Sequence, residues 1–179
     1  MGKISLFQIN GRILLISLFL IVVIFKLNFL KTGFWYDEWH TFFWSNPDFL
    51  LLENLNILVE NSVTPPLYFL ITAFFHKLFG YSPEAGRLLS IIFNSLSFLI
   101  LYFFLKQNFS KKISFFILLF FLLNYSIILY SIELRFYSFY IFVTLINIYF
   151  FFNIIYKYNN QNLFKYLFVS LVSFSSNYF

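Results

Sequence analysis

Long apolar runs separated by short polar breaks make up most of this chain, and their lengths carry the first information. An apolar run near 18 residues or longer can cross a hydrocarbon core of about 30 Å. Residues 13–30, 88–105, 113–132, 139–156 and 163–179 reach or approach that length. They predict an all-α fold, a polytopic transmembrane helical bundle of about five spans. Residues 67–79 form a shorter run between Pro65-Pro66 and Gly80, a length that suits an interfacial or re-entrant helix. Within it Tyr68, Thr72 and His76 recur every fourth residue, which lays a polar stripe along one side of a greasy helix. Residues 31–87 then form one outer loop carrying juxtamembrane helices, and no internal repeat divides the chain.

Composition supports the same class. Of 179 residues, 61% are hydrophobic, 26% aromatic and only 11% charged, against about 25% charged in soluble domains. Thirty-one phenylalanines exceed what the interior of a small soluble globule can hide. The absence of cysteine removes disulfide scaffolds and thiol chemistry. The net charge of +5 comes from basic residues dispersed along the chain, which argues against nucleic acid as a partner. No small-residue cleavage site follows the first apolar run, so that run reads as retained.

Charge also orients the bundle. With residues 67–79 outside the span count, Lys3, Arg12, Lys106, Lys111, Lys112, Lys157 and Lys165 share one side. All the acids (Asp37, Glu38, Asp48, Glu53, Glu60, Glu84 and Glu133) fall on the other. The basic bias predicts a multi-pass protein of the cell's inner (plasma) membrane with a cytoplasmic N-terminus.

Candidate chemistry collects on the acidic side. The loop opens with Phe34-Trp35-Tyr36-Asp37-Glu38-Trp39-His40-Thr41, whose aromatics suit the headgroup level. Two adjacent carboxylates at a low-dielectric border repel each other, so one should have a raised pKa unless a cation or metal sits near. Helical spacing places Asp37 on one face with His40 and Thr41, a cluster able to act as a general base. The alternative is an Asp cap followed by a solvated Glu in the first turn. Asn46-Pro47-Asp48 reads as a second helix start, running to about Glu60, with Glu53 and Glu60 on its solvated face. Thr64-Pro65-Pro66 reads as an extended turn before the interfacial helix. Glu133-Leu134-Arg135-Phe136-Tyr137 lies between two later spans. Glu133 and Arg135, two apart, do not meet on a helix, which leaves Arg135 for another anion such as a phosphate. For Arg87 the nearest acidic partner along the chain is Glu84.

In order along the chain stand Asp37-Glu38, Pro65-Pro66-Leu67-Tyr68, Leu78-Phe79-Gly80 with Arg87-Leu88, and Ser131-x-Glu133-x-Arg135-x-Tyr137. This arrangement resembles the polyprenyl-phosphate-sugar-dependent membrane glycosyltransferases. That superfamily includes protein O-mannosyltransferases, aminoarabinose transferases and bacterial mannosyl- and galacturonosyltransferases. The resemblance implies transfer of a sugar from a polyprenyl-phosphate donor, at the outer membrane face, to a lipid, glycan or protein acceptor. It implies Asp37 as base with Glu38 beside it, Arg135 on the carrier phosphate, and His40, Glu133, Tyr137 and Arg87 lining the substrate. A divalent cation held near Asp37 is the one cofactor it leaves open. Thr64 stands where many relatives carry His. The superfamily's greater length implies that these residues are an N-terminal portion, inactive alone. The competing readings are a transporter or flippase of lipid-linked sugars, and an inactive remnant or accessory membrane fragment.

Overall fold

The computed structural model describes residues 6–61, 66–156 and 158–176, and among them every regular element is helical. The order is α1 (Leu6–Leu27), α2 (Tyr36–Trp44), a 3-10 turn (Pro47–Leu50), α3 (Leu52–Asn61), α4 (Pro66–Phe79), α5 (Pro83–Asn108), α6 (Lys111–Leu123), α7 (Tyr125–Ser131), α8 (Tyr137–Tyr156) and α9 (Asn160–Ser176). Helices are the form in which a chain surrounded by hydrocarbon satisfies its backbone internally.

α5 is the axis of the bundle. Ser82 caps it by accepting from the Ala85 amide at 3.2 Å, Pro83 follows the cap, and Glu84 sits in the first turn, a helix start written in sequence. α4 ends just before it at Gly80, whose φ of +99° is the left-handed conformation glycine supplies at a helix C-terminus. The Gly80 amide donates to the His76 carbonyl at 2.8 Å. α5 packs against α1, α4, α6, α7 and α8. Two apolar clusters hold these contacts: Leu15, Phe98, Leu101, Leu105, Leu118, Phe121 and Leu122 join α1, α5 and α6. Leu58, Tyr68, Phe69, Phe139 and Val143 join α3, α4 and α8.

α5 and α8 are long and apolar enough to span a membrane. The run predicted at residues 113–132 is not one straight helix, because α6 and α7 meet at a 54° bend. Asn124 causes the break: its backbone is extended and its side chain caps α7 by accepting from the Ile127 amide at 3.1 Å. The first run begins earlier and ends earlier than its apolar residues suggest, since α1 stops at Leu27 and residues 28–32 form turns. α9 has 17 described helical residues. The second loop helix is interrupted as well: Asn46 caps the 3-10 turn through the Asp48 amide at 3.0 Å, Leu51 is extended, and α3 starts afresh. Glu60 is exposed; the side chain of Glu53 and the residues Thr64-Pro65 lie outside what is described. At 14 residues, α4 extends about 21 Å, too short to cross.

Candidate functional site

The Asp37-Glu38 pair stands in the first turn of α2, with Trp35 as the cap residue. The Asp-cap alternative therefore fails, and so does a solvated Glu: Glu38 is 1% exposed. Its partner is Arg87, one turn into α5. Arg87 donates from Nε to Glu38 Oε1 at 2.8 Å and from Nη2 to Oε2 at 2.7 Å. The Leu134 amide donates to Oε1 at 2.8 Å. The remaining Arg87 donors reach the carbonyls of Phe29, Leu30, Thr32 and Gly33. Phe34 lies under the guanidinium, 4.9 Å from ring centre to Cζ. The buried Arg87–Glu38 pair thus gathers the link after α1, the first turn of α2 and, through the Leu134 amide, the α7–α8 link. The nearer candidate, Glu84, is not the residue it pairs with.

Asp37 has a different arginine. Arg135 Nη1 donates to Asp37 Oδ2 at 2.7 Å, so Arg135 is not left free as its spacing from Glu133 implies. This second pair is open: the Arg135 and Asp37 side chains are 19% and 45% exposed. Arg135 lies between aromatic faces, its Cζ 4.7 Å from the Tyr137 ring centre and 6.0 Å from that of Trp35, an arrangement that favours a cation. The repulsion expected between adjacent carboxylates is relieved by a separate arginine on each.

Glu133 completes the group and is 7% exposed. Burial pushes its carboxyl above the usual range. Glu38 and Asp37 act in the same direction, and Arg135 and Arg87 oppose them. Its Oε2 is buried with no hydrogen-bond partner. Thr41, grouped with Asp37 by spacing, donates to the Asp37 carbonyl at 3.0 Å. His40 turns to other partners: its Nε2 accepts from Trp44 Nε1 at 3.0 Å and its ring meets Phe69. Among the described residues no three His, Asp or Glu side chains form a group able to hold a metal ion, so no ligand set there fits the divalent cation the sequence left open.

Two polar features were not read for what they do. The α4 stripe faces inward, with Tyr68, Thr72 and His76 at 2%, 0% and 1% exposure. The Tyr68 hydroxyl lies 3.5 Å from Ser90 Oγ, and His76 Nδ1 lies 3.0 Å from the Ser45 carbonyl. That stripe ties α4 to α5 and to the end of α2. Lys26, near the end of α1, faces protein: it donates to Asn94 Oδ1 at 2.6 Å, and both side chains are buried. Asn94 falls two turns along α5 from Arg87, a periodicity visible in sequence once α5 is known to be central.

The profile of the family described as dolichyl-phosphate-mannose-protein mannosyltransferase matches residues 63–178, well over half of the chain. Arg87, Glu133, Arg135 and Tyr137 fall inside the matched stretch, and Asp37-Glu38 precede it. Neither the curated proteins nor the solved structures yield a match.

Proposed function

The chain belongs to the dolichyl-phosphate-mannose-protein mannosyltransferase family, and from that premise we propose that it moves a hexosyl group from a polyprenyl-phosphate donor to a hydroxyl acceptor. The observation that carries the mechanism is the unequal treatment of two neighbouring carboxylates: Glu38 is sealed against Arg87, while Asp37 is half open beside Arg135. A base must be reachable by the acceptor and held in place. Asp37 meets the first condition, and the Glu38–Arg87 pair beneath it supplies the second.

In the reaction the acceptor oxygen attacks the anomeric carbon and its proton passes to the Asp37 carboxylate. The bond from that carbon to the phosphate oxygen breaks, and the phosphate leaves with the electron pair. Arg135, already desolvated on its aromatic faces, stabilises the negative charge gathering on the phosphate, a contribution that is large in such transfers. Contact with the phosphate draws Arg135 from Asp37 and leaves the carboxylate as the proton acceptor. Glu38 is then a positioning residue, and so is Arg87. Tyr137 supports Arg135; His40, bonded to Trp44, stays outside the reacting group. The acidic end of the bundle faces outward and the lysine-rich end lies at the cytoplasm, with the N-terminus.

The test is release of free polyprenyl phosphate from a glycosylated carrier by the purified chain in lipid nanodiscs. Asp37→Asn is expected to lower release by about 10²- to 10⁴-fold, the usual contribution of a general base. Full release by that variant overturns the assignment. Movement of the lipid with its sugar–phosphate bond intact identifies a transporter instead.

A further inference from the structure

At the acidic end of the bundle one cluster brings together Asp37, Glu38 and Glu133 with Arg87 and Arg135. Each arginine is committed to one carboxylate, Arg87 to Glu38 and Arg135 to Asp37. Glu133 is the acid left over, and it lies beneath the surface.

Donors that would ordinarily satisfy it are occupied. The Arg87 guanidinium spends its N–H groups on Glu38 and on backbone carbonyls. The Leu134 amide goes to Glu38, and the Arg135 amide turns back to Glu133's own carbonyl at 2.9 Å. Glu133 Oε2 is left buried without a partner. An ionised oxygen in that state carries a full desolvation penalty. A protonated carboxyl there offers one donor and one acceptor, the same pair of functions a sugar hydroxyl presents.

We propose that Glu133 works as a neutral carboxylic acid whose unpartnered oxygen, covered in the unliganded chain, meets a hydroxyl of the transferred sugar when donor binding draws Arg135 from Asp37. This rests on the glycosyl-transfer reading and adds to it a residue that reads the sugar rather than the phosphate. The charged groups facing Glu133 are Glu38 and Asp37 from α2, Arg87 from α5 and Arg135 from its own link. Burial and the two carboxylates raise the Glu133 carboxyl above its ordinary value, and the two arginines oppose them. A phosphate is a poor match for this oxygen, since Glu38 and Asp37 lie on the same side of the balance and Arg135 is the open cation. The sugar hydroxyl, neutral and bifunctional, fits.

Two measurements on the whole chain in lipid nanodiscs decide it. Infrared spectroscopy at pH 7 is expected to show a protonated-carboxyl band that is missing in Glu133→Gln; absence of the band from the parent overturns the proposal without reference to any ligand. Binding is then compared for a glycosylated polyprenyl phosphate and for the bare polyprenyl phosphate. Glu133→Gln, a neutral isostere, is expected to bind the glycosylated lipid within about twofold of the parent, and Glu133→Ala about tenfold more weakly, the loss of one hydrogen bond. Both variants should bind the bare lipid like the parent. As pH rises through the raised Glu133 pKa the parent should lose its preference for the glycosylated lipid, and Glu133→Gln should keep it. If Glu133→Gln is as weak as Glu133→Ala, the neutral acid is wrong. If the parent binds neither lipid, the glycosyl-transfer reading fails and the sugar contact with it, while the infrared band still decides the state of the acid.

Discussion

Asp37 and Glu38 are consecutive residues of one helix, yet neutralising each should have very different consequences for stability. Glu38→Gln keeps the shape of the side chain and removes its charge. In the parent Glu38 receives three hydrogen bonds of 2.7 to 2.8 Å, two from Arg87 and one from the Leu134 amide. The Glu38 and Arg87 side chains are 1% and 3% exposed. Removing one member of a buried ion pair leaves the other charged and uncompensated, at a cost of about 3–5 kcal/mol. The amide also turns an N–H toward a guanidinium N–H where an acceptor stood. Asp37→Asn breaks a pair whose members are 45% and 19% exposed, and water screens such pairs to about 1 kcal/mol or less.

Equilibrium unfolding in mixed detergent micelles, followed by circular dichroism, measures both variants on one scale. Glu38→Gln should lower the free energy of unfolding several-fold more than Asp37→Asn. A cost for Glu38→Gln no larger than that for Asp37→Asn would refute the division of the pair into a buried structural carboxylate and an open chemical one. Arg87→Lys provides the reciprocal check. A lysine ammonium lacks the planar fork and cannot reach Glu38 and the carbonyls of residues 29–33 together, so it should fall with Glu38→Gln rather than with the parent.

Other outcomes follow from the same geometry. His76 is buried with its pKa lowered from the ordinary 6.5, chiefly by desolvation. The unfolded chain therefore binds more protons in acid than the folded one, so the His76 contribution is fully present above about pH 6.5 and is lost as pH falls toward the folded-state value; thermal melts should show this acid-side loss, and His76→Gln should flatten it. A Cβ on Gly86 would stand 2.6 and 2.7 Å from the two Leu134 methyl carbons and 3.1 Å from His76 Nε2. Leu134 is fully buried, so Gly86→Ala should cost about 1–3 kcal/mol by overpacking, read in the same unfolding assay, and should displace the Leu134 amide from Glu38.

Much of the fold is legible in the sequence because the bilayer imposes a length rule. Run length places the apolar bodies of α5 and α8, while the Ser82 cap starts α5 five residues before its predicted run at 88. The break at Asn124 was harder to read, since the apolar run continues on either side and a single Asn is tolerated within many helices. It became a break because its side chain caps the next helix. The site was legible as a set of residues and illegible as a set of pairs. Asp37, Glu38, Arg87, Glu133 and Arg135 stand out as charges at the ends of greasy helices. Their pairing is a tertiary fact: Arg87 lies 49 residues from Glu38, and Arg135 lies 98 from Asp37. Local spacing rules see only neighbours within one turn, which is why they offered Glu84 to Arg87 and nothing to Arg135. Lys26 and Asn94, 68 residues apart, were hidden for the same reason.

Helical geometry explains how an adjacent acidic pair serves two purposes. Consecutive residues on a helix point about 100° apart, so if one carboxylate of α2 faces the bundle, its neighbour faces along the bundle's rim. Burying Glu38 against Arg87 fixes the rotation of α2 about its own axis, because a slip of one residue would put Asp37 or Trp39 into the Arg87 pocket. With that rotation set, the direction of Asp37 is set as well, and it meets Arg135 at the open edge. The ring contacts of this helix of 9 residues, His40 on Phe69 and Phe42 stacked on Tyr81, hold the same rotation. In the proposed reaction the buried carboxylate is thus the one that aims the reacting one. The Glu38→Gln and Asp37→Asn comparison should therefore reappear in catalysis: the first should scatter the base and depress turnover in proportion to lost order, and the second should remove turnover while the fold stands.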